Sequence, residues 1–151
     1  LVFGLETSSE RGLKLLRKGI TPEMVEHTVR SCAGAGIAPY LFVLDYPSNT
    51  AGELRATLEF VVSLAPWVED MIPTRFQLSE ISKVSDEPSL FDLRRTIEPD
   101  TWLDPFDVPF SAPGLMPGDT YQALVAEHMA RFSAARPHPR EDPYLLASRA
   151  S

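Results

Sequence analysis

Six consecutive side chains near the start of the chain, Glu6-Thr7-Ser8-Ser9-Glu10-Arg11, combine two carboxylates, three hydroxyls and a guanidinium. A carboxylate in apolar surroundings accepts charge-assisted hydrogen bonds from hydroxyl or ammonium groups, and a guanidinium grips a carboxylate in a fork. The set is preceded by the apolar run Leu1 to Leu5 and followed by Gly12-Leu13-Lys14-Leu15-Leu16-Arg17-Lys18-Gly19. This reads as a strand that ends on an acid, then a capped helix. Thr7 is placed to cap it, with Glu10 three residues on reaching back to the cap's amide, and Gly19 supplies a left-handed stop. An acid and a hydroxyl cluster thus stand at the carboxyl end of a strand beside the positive end of a helix, where βα architectures hold small ligands.

The elements that must position this cluster follow at regular intervals. A second helix opens on Thr21-Pro22, a cap followed by a first-position proline, and Gly34 and Gly36 end it. Tyr40-Leu41-Phe42-Val43-Leu44 is a near-continuous apolar run, the pattern of a strand covered on both faces. Thr50 and Glu53 repeat the capping-box spacing, Leu54, Leu58, Val61 and Val62 make one helical stripe, and Pro66 follows the helix. A third strand is expected near residues 71–78, with Phe76 and Leu78 on one face. The spacing of strand starts is that of a βα unit and favours three parallel strands, with Glu6, Asp45 and Ser79 at a common edge.

The opening run resembles the fourth strand and following helix of the radical S-adenosylmethionine (SAM) enzymes, particularly the branch that often carries a cobalamin-binding domain upstream. There the pattern reads approximately Gly-Leu-Glu-Ser-Gly-Ser-Glu-Arg, then a Leu-Lys-rich turn and Lys-Gly-Ile-Thr. Glu6, Ser9, Glu10, Arg11, Lys18, Gly19, Ile20 and Thr21 match it, and Ser8 stands where glycine is usual. The resemblance implies the carboxyl half of a partial (β/α) TIM-type barrel. It also implies that Glu6, Thr7, Ser9 and Arg11 face SAM, the acid and hydroxyls meeting its ribose and methionine moieties and Arg11 its carboxylate. The ordinary alternatives are local: an ion pair of Glu6 with Arg11, N-capping by Thr7 or Ser9, and solvated helix charges at Arg11 and Lys18.

Two further strand ends extend the resemblance. Leu44-Asp45-Tyr46-Pro47-Ser48-Asn49-Thr50 stands where the family commonly has Gly-Phe-Pro-Gly-Glu-Thr, near the adenine; Pro47 and Thr50 match, and Asp45 replaces the glycine. This implies a cofactor-side position for Asp45 and Tyr46. At the third strand end Gln77 and Ser79 are candidates to touch substrate. The family also needs three cysteine thiolates after its first strand to hold a [4Fe-4S] cluster. This chain has one cysteine, Cys32, so the cluster ligands would come from a missing N-terminal half of the barrel. Cobalamin use would depend on a domain outside this chain. The expected substrate is a small molecule or a peptide.

The remaining chain bounds these readings. Residues 1–88 form the barrel part. Residues 89–119 form a proline-rich segment whose Phe91, Trp102, Phe106 and Phe110 suit a loop packed over the barrel. Residues 120–151 hold a last helix, from Thr120 to Ala134 with Tyr121, Leu124, Val125, Met129 and Phe132 on one face, and a frayed tail. In 151 residues, 14 Lys and Arg against 21 Asp and Glu give a net charge of −7, which argues against a nucleic-acid partner. No apolar run approaches the ~20 residues of a membrane span and no signal sequence leads the chain, so the expectation is a soluble cytoplasmic protein. His27, His128 and His138 lack metal-helix spacing and read as structural or solvent-facing. Leu1 to Leu5 already reads as a buried strand, which implies a segment of a longer chain. Two rivals remain: a non-catalytic barrel remnant serving as an interaction module, and a βα-barrel enzyme for a phosphate-bearing substrate, which lacks a Gly-rich loop here.

Overall fold

The structure, a computed structural model, describes residues 1–96 and 106–136. Strands β1 (Val2–Glu6), β2 (Tyr40–Asp45) and β3 (Asp70–Arg75) form a parallel sheet in the order β1-β2-β3. Helices α1 (Glu10–Leu15) and α2 (Pro22–Gly34) cross from β1 to β2, and α3 (Ala51–Ser63) from β2 to β3. Such crossovers are what adjacent parallel strands require. Beyond β3 come a short helix α4 (Lys83–Asp86) and a 3-10 turn at Pro88–Phe91. A two-residue antiparallel pair, β4 (Arg94–Arg95) with β5 (Phe110–Ser111), precedes the long helix α5 (Gly118–Ala135). The architecture is α/β, built on a three-stranded parallel sheet.

The helices pack against one face of the sheet. Leu5, Leu41, Val43 and Met71 from the strands join Val29 of α2, Leu54, Leu58 and Val61 of α3, and Leu124 and Phe132 of α5 in one apolar core. Each of these side chains is nearly or wholly removed from water, which for a leucine or valine is worth about 1.5–3 kcal/mol. A second cluster lies past the carboxyl ends of the strands, where Tyr46, Leu78, Phe91, Leu93 and Val108 pack with Leu44, Phe76 and Phe110. Phe76 and Phe110 meet edge to face at 5.5 Å, and Val108 N donates to Leu78 O. Val2, Tyr40, Phe42 and Ile72, on the sheet's other face, join neither cluster.

Several local expectations need correction. Helix α1 is capped by Ser9, whose Oγ accepts from Gly12 N at 3.0 Å, because the Thr7 hydroxyl is buried one turn earlier and accepts instead from Ser9 N. Glu10 points into solvent beside Lys14. The helix stops before Gly19: Arg17 takes the left-handed conformation (φ 53°), with Arg17 N bonded to Lys14 O and Lys18 N to Leu13 O. That is a Schellman stop closed on an arginine. Strand β3 ends at Arg75 rather than running to residue 78, since its partner β2 ends at Asp45; Phe76 N makes the last bond, to Asp45 O. Pro73 is tolerated because β3 is an edge strand.

Other expectations hold. Thr21 caps α2, the Thr50–Glu53 capping box is fully formed, and Leu54, Leu58 and Val61 are buried. Of the aromatics in residues 89–119, Phe91 is buried and Phe106 largely exposed. Trp102, Pro99, Pro105, His138 and the expected frayed tail beyond Arg136 lie outside the described residues. His27 is exposed, while His128 is fully buried and bonded through Nδ1 to Leu124 O.

Candidate functional site

The turns after β1 and β2 are stitched together by one polar network centred on Glu53. Arg11 donates to it twice, Nε to Oε1 at 2.9 Å and an Nη to Oε2 at 2.6 Å. Ser9 Oγ donates to Oε1 at 2.7 Å, and Thr50 donates through both its amide and its hydroxyl to Oε2. Arg11 above all, with lesser shares from Ser9 and Thr50, holds the Glu53 carboxyl well below the usual carboxylate range, although burial opposes it. The same guanidinium reaches Ser48 O at 2.6 Å. Beneath it Thr57 Oγ1 accepts from Ser8 N and lies 3.3 Å from Thr7 Oγ1. Thr7, Ser9 and Arg11 are therefore brought together, and each is satisfied by protein groups.

Glu6 is placed differently. The register of β1 against β2 slips between Gly4 and Glu6, and Glu6 adopts a left-handed backbone (φ 56°), which a non-glycine residue does at a cost. Its side chain folds back over Gly4; a Cβ at residue 4 would lie 2.5 Å from Glu6 Oε1, so glycine is what leaves room for the carboxylate. Lys18 Nζ stands 2.6 Å from Oε2, with the two side chains 31% and 19% exposed. The contact is Coulombic but poorly angled, and Oε2 remains buried with no hydrogen-bond donor. A strand-end carboxylate oxygen whose charge is met by one ammonium outside hydrogen-bond geometry is a feature a well-aimed ligand ammonium or hydroxyl would satisfy better.

The other candidates diverge. Asp45 is buried among Arg75, Asn49 and Tyr121; burial pushes its carboxyl up, and Arg75 and Asn49 partly offset this. Arg75 Nε lies 3.9 Å from Asp45 Oδ2, while an Arg75 Nη donates to Met116 O at 2.6 Å, tying the start of α5 to the sheet edge. Tyr46 is fully buried, and a Cβ at Gly12 would sit 2.2 Å from its hydroxyl, so α1 approaches this ring only because residue 12 is glycine. Burial pushes the Tyr46 phenol up. Gln77 is exposed on the loop after β3, and Ser79 O accepts from Ser82. Neither is joined to Glu6 by a described contact.

The sequence reading passed over Lys18, Arg75 and Thr57 as site-forming residues. Thr57 carried a signal: it falls on the buried stripe with Leu54, Leu58 and Val61, where a polar residue needs a partner. Among the described residues no group of His, Cys, Asp and Glu is arranged for a metal ion, and no helix is long and apolar enough to cross a membrane. Cys32 lies in α2, far along the chain from any strand end, so the residues present do not fit an iron–sulfur cluster.

No family model matches the chain. It is similar to an uncharacterized methyltransferase of Pyrococcus horikoshii, 35% identical over 63 residues. That stretch is 41% of this chain and 14% of the relative, so the chain spans a small part of the length of the protein it matches.

Proposed function

We propose that this chain is part of a radical SAM enzyme and supplies one wall of the SAM and substrate pocket. The observation that carries the reading is Glu6, a carboxylate at the carboxyl end of a parallel strand whose buried Oε2 is met by the Lys18 ammonium alone, outside hydrogen-bond geometry. Three features support it: the parallel βα order, Val2, Tyr40, Phe42 and Ile72 of the second sheet face left outside both apolar clusters, and the similarity to a protein named a methyltransferase. In such enzymes SAM bound to a reduced [4Fe-4S] cluster supplies a 5′-deoxyadenosyl radical. The thiolates for the cluster are not in this chain, whose one cysteine is Cys32. Glu6 would accept from the ribose hydroxyls or the methionyl ammonium of SAM, while the Glu53 network fixes the two turns that frame it. Cobalamin, if used, would bind elsewhere.

A second reading draws on a specific observation: Thr7 is spent on Thr57 and Ser9 N, and Ser9 and Arg11 on Glu53, Gly12 N and Ser48, rather than left open for a ligand. This favours a barrel remnant that serves as an interaction module. The deciding experiment uses the full-length protein, with the residues upstream of Leu1 inspected for a cysteine triplet. SAM binding by equilibrium titration and cleavage to 5′-deoxyadenosine under reducing conditions are expected. A cluster-loaded protein that binds no SAM favours the interaction module.

A further inference from the structure

Glu6 and Lys18 form an ion pair with features that a fixed structural bridge does not need. Lys18 follows directly on the Schellman stop of α1. Its amide is held by Leu13 O at 3.0 Å, and the residues on either side, Arg17 (φ 53°) and Gly19 (φ 64°), are both left-handed. The loop is thus bent twice to deliver one ammonium to Glu6. The ammonium then contacts Oε2 at 2.6 Å without the angle of a hydrogen bond, and the oxygen stays buried and unsatisfied. A lysine ammonium is a compact charge on a flexible stem, and this one is 31% exposed, so it can swing to water without disturbing the backbone that carries it. The Arg11–Glu53 bridge differs: it is bidentate and Glu53 receives three further donations.

From this contrast we infer that Lys18 is a displaceable occupant of the ligand position at Glu6. It neutralises the carboxylate in the free protein and leaves when a ligand offers a cation or a hydroxyl pair with better hydrogen-bond geometry. Lys18 is then a specificity-determining residue, since a neutral ligand with no well-aimed donor cannot compete with a resident ammonium. The inference rests on the proposed binding of SAM at Glu6, and the test separates the two.

SAM is titrated into the full-length, cluster-loaded protein as wild type, Lys18→Met and Glu6→Ala. In parallel, the reactivity of Lys18 toward an acetylating reagent is followed by mass spectrometry with and without SAM. Removal of a competing partly exposed ion pair should tighten SAM binding by about two- to fivefold in Lys18→Met. In the wild type, saturation with SAM should raise the acetylation rate of Lys18 severalfold, because the ammonium moves into water. Unchanged or weaker binding by Lys18→Met, together with unchanged or slower acetylation, overturns the inference. If Lys18→Met does not fold, the wild-type acetylation result decides alone. Weaker SAM binding in Glu6→Ala alongside a failed Lys18 test retains the site and discards the displaceable lysine. Unaltered affinity in Glu6→Ala removes the site itself.

Discussion

Two glutamates lie on neighbouring turns at the carboxyl side of the same sheet, and the protein treats them in opposite ways. Glu53 receives hydrogen bonds from Arg11, Ser9 and Thr50 and caps a helix of 13 residues. Glu6 sits on a strained backbone at a register slip, with a single ammonium partner and a buried oxygen that receives no hydrogen bond. Carboxylates whose lone pairs are filled by the protein stabilise it, whereas one left partly unfilled is a cost to folding that a ligand can relieve. The difference separates the scaffold from the candidate site, although both residues stand beside helix starts and would look alike in a list of acids.

Substitutions can sharpen this contrast, and Leu58→Ala sets the scale. Its side chain is fully buried in the core that the sheet shares with α2, α3 and α5, so the change should cost about 2–5 kcal/mol in denaturant titration. Glu53→Ala opens the Thr50–Glu53 capping box and strands the partners of its carboxylate, with an expected loss of about 2–4 kcal/mol. Gly12→Ala should cost about 1–3 kcal/mol by forcing α1 away from Tyr46. Glu6→Ala should change stability by less than about 1 kcal/mol, because a partly exposed ion pair is lost together with backbone strain. A Glu6 variant as destabilised as the Glu53 variant would erase the distinction.

Acid should distinguish the scaffold from the rest of the fold as well. The folded Glu53 carboxyl is held below its unfolded value of about 4.3. Its contribution is therefore fully present above that value and is lost as the pH falls toward the folded one. Measured as the stability difference between wild type and Glu53→Gln, the gap should be flat near neutrality and shrink progressively below about pH 4. A gap that stays constant down to pH 2.5 would mean that Arg11 and Thr50 do not hold this carboxylate.

Much of the scaffold was legible in the sequence because it depends on spacing. Apolar runs at βα intervals gave three parallel strands, Thr21-Pro22 and Thr50 with Glu53 gave two helix starts, and Leu54, Leu58 and Val61 gave the buried stripe. What failed depended on competition between like groups. Three hydroxyls in a row could each cap α1, and only the burial of Thr7 against Thr57 decides for Ser9. Gly19 looked like the helix stop, yet the chain turns left-handed two residues earlier, at an arginine. Of the candidate site, only the place of Glu6 at the strand end was legible. That Lys18 reaches back 12 residues to it, or that Arg75 reaches forward to Met116, follows from how helices settle on the sheet and not from local pattern.

In the proposed function Glu6, and not the better-bonded Glu53, receives the cofactor. The direct measurement is SAM titration of the full-length, cluster-loaded protein as wild type and Glu6→Ala, with cluster absorbance followed in the same samples. Charge-assisted hydrogen bonds to a carboxylate contribute about 1.5–3 kcal/mol, so affinity should fall by about ten- to a hundredfold while the absorbance stays the same. Equal affinity in the two proteins would contradict the account.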